Sequence, residues 1–374
     1  MRFTVKGTQG RSTLDSITGL FKLLLSKGKI DALLVPKRYP NGKSVAQVLI
    51  TDPQKLDGSD PLAPVQMVNA ASIVRELAKE PVRKKVGAVL RPCEVRATIE
   101  LMKLKQVSDE NLILIGYDCP GVYNLKEYMR LIEKEKDKEA HTLQHVEAFL
   151  SGDKDTIRES CRECTHFAGS SADIHIAWIG TDAPSIVVEA VTEKGVHLFD
   201  DIETKKIEDL PSRKQLLEKI LVRRTERQKS TLEGFFDLLQ PCIRCYNCRE
   251  VCPLCYCKEC LLKPEKMGYS SERYLSRAEK KLEIKMPVDT ALYHLTKVNH
   301  MGFSCVSCGV CEQACPMEIP LGRIHGVFSR NIQALFDYVP GRSREEELPV
   351  LTFQEEELTD VEDIGMKDKL VEEQ

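Results

Sequence analysis

The chain has 374 residues, 54 Lys and Arg against 57 Asp and Glu, a formal net charge of −3 and 42% hydrophobic residues, a balance that excludes a disordered chain. No stretch approaches the ~20 continuous apolar residues of a membrane span, and with 6% aromatic residues and no basic patch interleaved among them a nucleic-acid partner is excluded too. The first residues lack an apolar signal core, which places the chain in the cytoplasm, where fifteen cysteines point to metal rather than disulfides.

In chain order, Ile17, Leu20, Phe21, Leu24 and Leu25 share one face of a helix that ends near Gly28. A strand over Ile30–Val35, stopped by Pro36, and a second over Ala46–Ile50 follow. An amphipathic helix is expected near Met67–Lys79. Two further strands, Val86–Leu90 and Leu112–Ile115, flank a helix over Glu94–Lys105, and each runs into a cysteine-bearing turn. Strands over Ile174–Ile179 and Ser185–Val191 precede a turn at Gly195. This alternation predicts an α/β domain with a largely parallel or mixed sheet. Beyond Leu210 the pattern becomes helical: a long charged connector over Lys214–Leu239, then helices over Tyr274–Lys281, Val288–Val298 and Leu321–Leu335. From Ser343 to Gln374 there are 12 acidic and 3 basic residues, a net of −9 that leaves +6 for the rest, so this stretch reads as a solvated acidic tail. The expected divisions are therefore 1–209, 210–240, 241–342 and 343–374.

The cysteines carry the chemistry. Cys242, Cys245, Cys248 and Cys252, followed by Pro253, have the spacing C-x2-C-x2-C-x3-C-P, and Cys305, Cys308, Cys311 and Cys315, followed by Pro316, repeat it. Three thiolates at i, i+3 and i+6 wrap three corners of one cubane, and in two-cluster ferredoxins the fourth ligates the other cluster. The expected ligand sets are Cys242, Cys245, Cys248 with Cys315, and Cys305, Cys308, Cys311 with Cys252. Zinc competes, but paired C-x2-C units suffice for a tetrahedral site and the register of the further cysteines adds nothing to it. The 52 residues from Pro253 to Ser304 are too many for a compact ferredoxin hairpin, so a mainly α-helical two-cluster module is expected.

Cys93, Cys119, Cys161 and Cys164 lie in the first half, two of them just past the carboxyl ends of expected parallel strands, where an open α/β sheet places its ligand. Spacing alone leaves a third 4Fe-4S cluster, a zinc site and packed core thiols open. Cys255, Cys257 and Cys260 are read as forming no separate cluster, with a partial metal site and a tuning role through hydrogen bonds as alternatives. His166 and His175 read as structural histidines.

Arg91-Pro92-Cys93-Glu94, Gly116-Tyr117-Asp118-Cys119-Pro120-Gly121, Cys161-Arg162-Glu163-Cys164 and Ala172-Asp173-Ile174 together resemble, in order, motifs of the beta subunits of coenzyme F420-reducing hydrogenase and formate dehydrogenase. The resemblance covers roughly residues 10–200. It implies that the first-half cysteines hold a third cluster and that FAD binds beside it, which would make the α/β half a flavin-binding domain. In several relatives the cysteine-rich segment precedes this domain, whereas here it follows. The segment Gly7–Thr13 is also poorer in glycine than theirs.

Gly10, Arg11, Ser12 and Thr13 precede a helix and suit a diphosphate, or are an ordinary cap by Ser12. Arg91 and Arg96 flank the cluster loop and could stabilise anionic flavin, or only pair with Glu94 or Glu100 on the surface. The implied function is an oxidoreductase subunit of a formate dehydrogenase, hydrogenase or heterodisulfide reductase-type complex. Its clusters would link a catalytic subunit to FAD, which exchanges hydride with coenzyme F420 or NAD(P), or electrons with a ferredoxin. No G-x-G-x-x-G supports a nicotinamide nucleotide. The alternative is a flavin-free iron–sulfur relay whose α/β half only docks partners.

Overall fold

The computed structural model describes residues 1–353 apart from 41, 136, 153–156, 170, 229–233, 264–265 and 267. Eight strands, β1 (Arg2–Val5), β2 (Ala32–Arg38), β3 (Val45–Ile50), β4 (Val86–Leu90), β5 (Leu112–Tyr117), β6 (Ile174–Ala177), β7 (Val187–Ala190) and β8 (Thr204–Lys206), form one sheet in the order β3-β2-β4-β5-β6-β7-β1-β8. Pairs β2–β4, β4–β5 and β5–β6 are parallel and the rest antiparallel, so the sheet is mixed.

Side chains along β5, all buried, alternate between two cores. Leu112 and Leu114 enter the core shared with α2 (Ala71–Leu77) and α3 (Pro92–Lys103), whereas Ile113, Ile115 and Tyr117 face α1 (Thr13–Ser26), α5 (Lys138–Ser151) and α8 (Pro211–Gln228). Helix α4 (Leu125–Lys134) closes the sheet's carboxyl end with Tyr128 and Ile132. Short helices α6 (Glu159–Arg162) and α7 (Glu193–His197) complete this half.

The rest is helical: α9 (Phe235–Leu239), α10 (Asn247–Glu250), α11 (Ser271–Lys281), α12 (Thr290–Met301), α13 (Val310–Gln313) and α14 (Leu321–Leu335). Its core gathers Leu239, Tyr293, Ile319, Leu321 and Ile324 around Cys248, Cys242, Cys311 and Cys315. Leu254 and Val306 join the α2–α3 core, so the two halves share one apolar seam.

Several expected boundaries move. Strand β2 continues through Pro36 to Arg38, because Pro36 presents its backbone away from β3, where its carbonyl accepts the Asp60 N–H at 2.8 Å and no ladder bond is lost. The expected helix over 67–79 shrinks to α2, since Asn69 caps the N–H of Ala71 and residues 62–68 are drawn into a loop that carries Gln66. Gly195 lies in α7 rather than a turn; a Cβ there would stand 2.0 Å from the Asp173 carbonyl. The connector helix ends at Gln228, and residues 229–233 of the expected helix lie outside the described ones.

The stretch read as a solvated tail begins docked. Arg344 pairs with Asp173 at 3.0 Å and Asp109 at 3.2 Å, and Leu348 is buried. Just before it, Tyr338 Oη and the Gly341 N–H donate to Glu100 at 2.6 and 2.8 Å, tying this segment to α3. Residues 354–374 of that tail lie outside the described ones.

Candidate metal centres

Each C-x2-C-x2-C-x3-C motif folds by the same backbone device. Residues two beyond the first cysteine, Arg244 and Ser307, and one beyond the second, Tyr246 and Gly309, all have positive φ, 53° to 72°. These left-handed steps coil the chain so that the third cysteine falls in a single helical turn, α10 or α13. Gly309 is required twice over. Besides its φ, a Cβ there would meet Ser160 Oγ at 2.0 Å, because α6 packs directly on this loop.

The thiols assemble across the two motifs. Burial raises the Cys242 thiol, and repulsion from Cys248, Cys315 and Cys245 adds to it, while the Arg244 N–H at 3.4 Å opposes the shift. Burial likewise raises Cys311 well above the ordinary thiol range, with Cys308, Cys252 and Cys305 as its thiol neighbours. Cys315 thus acts on Cys242 of the first motif, and Cys252 on Cys311 of the second. Cys255 is held by a hydrogen bond to Cys252, Cys260 is hydrogen-bonded to Arg249, which also donates to the Cys257 carbonyl at 2.9 Å, and the Cys257 side chain is exposed. Among the described residues, no three His, Cys, Asp or Glu side chains close around a single-ion point.

In the first half, Cys93, Cys119, Cys161 and Cys164 line one cavity together with Cys308. Cys93 sits in the first turn of α3, not before it: Pro92 opens the helix and Glu94 closes a capping box, its carboxylate accepting the Arg91 N–H at 2.8 Å. Cys119 follows β5 and donates its N–H to the Phe167 carbonyl at 2.7 Å. The residue before it, Asp118, is fully buried. It accepts from the Trp178 and Ile179 N–H groups, each at 2.9 Å, from Arg213 of α8, and lies 2.9 Å from His175 Nε2. Burial alone would raise its carboxyl, but the bonds from His175 and Arg213 outweigh it and hold the group well below the ordinary carboxylate range.

Four buried cations, Arg91, Arg96, Arg158 and Arg224, surround these thiols. Burial pushes Cys119 up to about 11, so binding a metal there means displacing a proton. Four thiols in one cavity, ringed by guanidinium groups, fit an anionic iron–sulfur cluster. Arg158 also joins the halves: it donates to Gln66 and, at 3.4 Å, to Gln313, whose amide donates back to the Gln66 carbonyl at 2.8 Å. Nothing in the sequence pattern marks Gln66, Arg158 or Arg213 as site residues, since each acts across a long sequence separation.

The residues named for flavin are placed differently. Ser12 is the N-cap of α1, accepting the Asp15 N–H at 3.1 Å, and the Gly10 and Arg11 N–H groups donate to Ser16 and Asp15 at 2.9 and 3.2 Å. The helix's own side chains therefore take the donors a diphosphate would need, and Thr13 opens the helix. Arg91 is not a surface residue; it donates to the carbonyls of Ala63 at 2.8 Å and Val65 at 3.0 Å. Arg96, also buried, donates to the Pro340 carbonyl at 2.7 Å and helps hold the His166 pKa down at about 3. His166 lines the thiol cavity, whereas His175 is the partner of Asp118.

The family model for the C-terminal part of the coenzyme F420 hydrogenase/dehydrogenase beta subunit matches residues 83–213, and the 4Fe-4S dicluster domain matches residues 238–319. Over most of its length the chain is also similar to curated beta subunits. It is 28% identical over 369 residues to the F420-dependent formate dehydrogenase subunit beta of Methanocaldococcus jannaschii, covering 87% of this chain and 91% of the relative. To the F420-dependent formate dehydrogenase 1 subunit beta of Methanococcus maripaludis it is 29% identical over 368 residues, covering 87% and 90%. A chain of the F420-reducing [NiFe] hydrogenase complex from Methanosarcina barkeri superposes with TM-score 0.45 at 15% identity over 61% of this chain and 90% of that one. The chain is an oxidoreductase subunit with a 4Fe-4S dicluster domain. None of its described helices is long and apolar enough to cross a membrane.

Proposed function

We propose that the chain is the electron-transfer beta subunit of a cytoplasmic formate dehydrogenase or hydrogenase-type complex, passing electrons between 4Fe-4S clusters and FAD for exchange with coenzyme F420 or another carrier. The proposed ligand sets are Cys242, Cys245, Cys248 with Cys315; Cys305, Cys308, Cys311 with Cys252; and Cys93, Cys119, Cys161 with Cys164. The proposed divisions are an α/β domain over 1–209, a connector over 210–240, a dicluster domain over 241–342 and a tail from 343.

One observation carries the reading: Cys308 of the second set lines the cavity of the first-half thiols. On this assignment the Cys305 set adjoins the first-half set, and the Cys242 set includes the exposed Cys245. Bound clusters supply one-electron transfer between these sets. The chain's residues hold the thiols at fixed separation, direct N–H groups at sulfur, and keep water out through the shared seam.

A flavin-free relay is the second reading, favoured by the engagement of the Gly10 and Arg11 N–H groups with α1's own side chains. Flavin released by acid from anaerobically purified protein separates the two. About one FAD per chain supports the converter, with coenzyme F420 reduction as the following assay. No flavin in protein of intact iron content, and none taken up on addition, supports the relay.

A further inference from the structure

The 52 residues between the cysteine motifs are more than a turn requires, and their last helix, α12, is the part that reaches the thiols. Tyr293 Oη lies 3.8 Å from Cys248 Sγ and His294 Nε2 lies 3.4 Å from Cys242 Sγ. One turn on, Lys297 Nζ donates to the Cys248 carbonyl at 2.7 Å, and the side chain is fully buried. A lysine is almost never this buried unless it is paired. The thiols facing it belong to both C-terminal sets, Cys248 to one and Cys311 and Cys252 to the other, with Cys255 beside them.

We propose that Lys297 is a fixed cation shared by the two C-terminal cluster sites, favouring the reduced form of both and so setting the potential at which electrons pass between them. Reduction of a 4Fe-4S cluster adds one electron, taken from the donor in the relay, and raises the negative charge of the cluster with its four thiolates by one; no bond forms or breaks. Net charge and burial are among the levers that set such potentials. A positive charge between two sites in a poorly screened interior acts on both at once.

The neighbouring histidines do a different job. Burial pushes His294 down to about 4, with Lys297 adding to the effect, and burial pushes His325 well down too, so each offers a neutral ring rather than a charge. Clusters bound with their thiolate ligands would be the counter-charge that so buried an ammonium requires.

The inference rests on the cluster assignment above, and the test keeps the two apart. Iron content of the anaerobically purified chain, about twelve per chain for three clusters, checks the assignment alone. Dithionite titration through mediators, followed by EPR, then compares wild type with Lys297→Gln, Lys297→Met and Lys297→Arg. Gln keeps a donor for the Cys248 carbonyl without the charge. The expected result is a shift of about tenfold or more toward the oxidised form for both C-terminal clusters in the Gln and Met variants, which is 59 mV for a one-electron couple. The first-half cluster should stay close to wild type, and Arg should restore the C-terminal potentials.

If Gln and Met proteins hold no C-terminal clusters while Arg does, the charge is needed already by the oxidised clusters, and the electrostatic role stands. Unmoved potentials in an iron-replete Gln variant, or clusters lost from all three variants, would overturn it and leave Lys297 a packing residue.

Discussion

Replacing Asp118 with Asn tests whether the Cys119 loop is held by a buried charge pair rather than by the sheet alone. Asp118 is fully buried and the Arg213 side chain is 7% exposed, so the variant leaves a guanidinium without its counter-charge. Breaking such a pair from one side costs about 3–5 kcal/mol. Near 200 residues each kcal/mol lowers Tm by about 2–4 °C, so Asp118→Asn should lower it by roughly 6–20 °C if the α/β half unfolds as a unit. The double variant Asp118→Asn/Arg213→Met removes the orphaned charge and should recover more than half of that loss.

The pH dependence has a definite sign. Because the folded carboxyl titrates below its ordinary 3.8, the stabilisation is complete above that value and is lost as pH falls through the lowered one. The gap between wild type and Asp118→Asn should therefore be flat at neutral pH and begin to close only below about 3.8. Anaerobic calorimetry with iron analysis reads both stability and the first-half cluster, which the single variant should lose preferentially. A single variant within about 1 kcal/mol of wild type, or single effects that simply add in the double variant, would refute the reasoning.

Three further outcomes are expected. Cys252→Ser should deplete the cluster held by Cys305, Cys308 and Cys311 and spare that of Cys242, Cys245 and Cys248; EPR of the reduced protein distinguishes them, and the opposite pattern would end the crossed assignment. Gly309→Ala imposes a left-handed strain of about 1–2 kcal/mol and a clash with Ser160 that adds about 1–3 kcal/mol, so limited proteolysis should show the two halves loosened. Ser12→Ala should cost about 1 kcal/mol in denaturant unfolding through the lost cap, with unchanged iron and flavin; flavin lost in this variant would return α1's first turn to the cofactor site.

The dicluster domain was legible because cluster ligation is written in short spacings. The repeated C-x2-C-x2-C-x3-C-P motifs determine which thiols can wrap one cubane, a local constraint that needs no knowledge of the rest of the chain. Hydrophobic periodicity likewise marked α1, β4 and β5, whose apolar faces repeat at regular intervals. Strands β1 and β8 were not legible, being too short to show a period and set by distant pairing, β1 with residues 188–189 and 204–206 and β8 with residues 3–5.

The tertiary structure alone decided how charge is placed. Asp118 and Arg213 are 95 residues apart, Arg158 and Gln313 are 155 apart, and Glu100 meets Tyr338 across 238. Lys297 looks in the sequence like any other helix lysine. Its position between two sets of thiols follows from how α12 packs, because burial and proximity of charges belong to the folded core and leave no periodic trace along the chain.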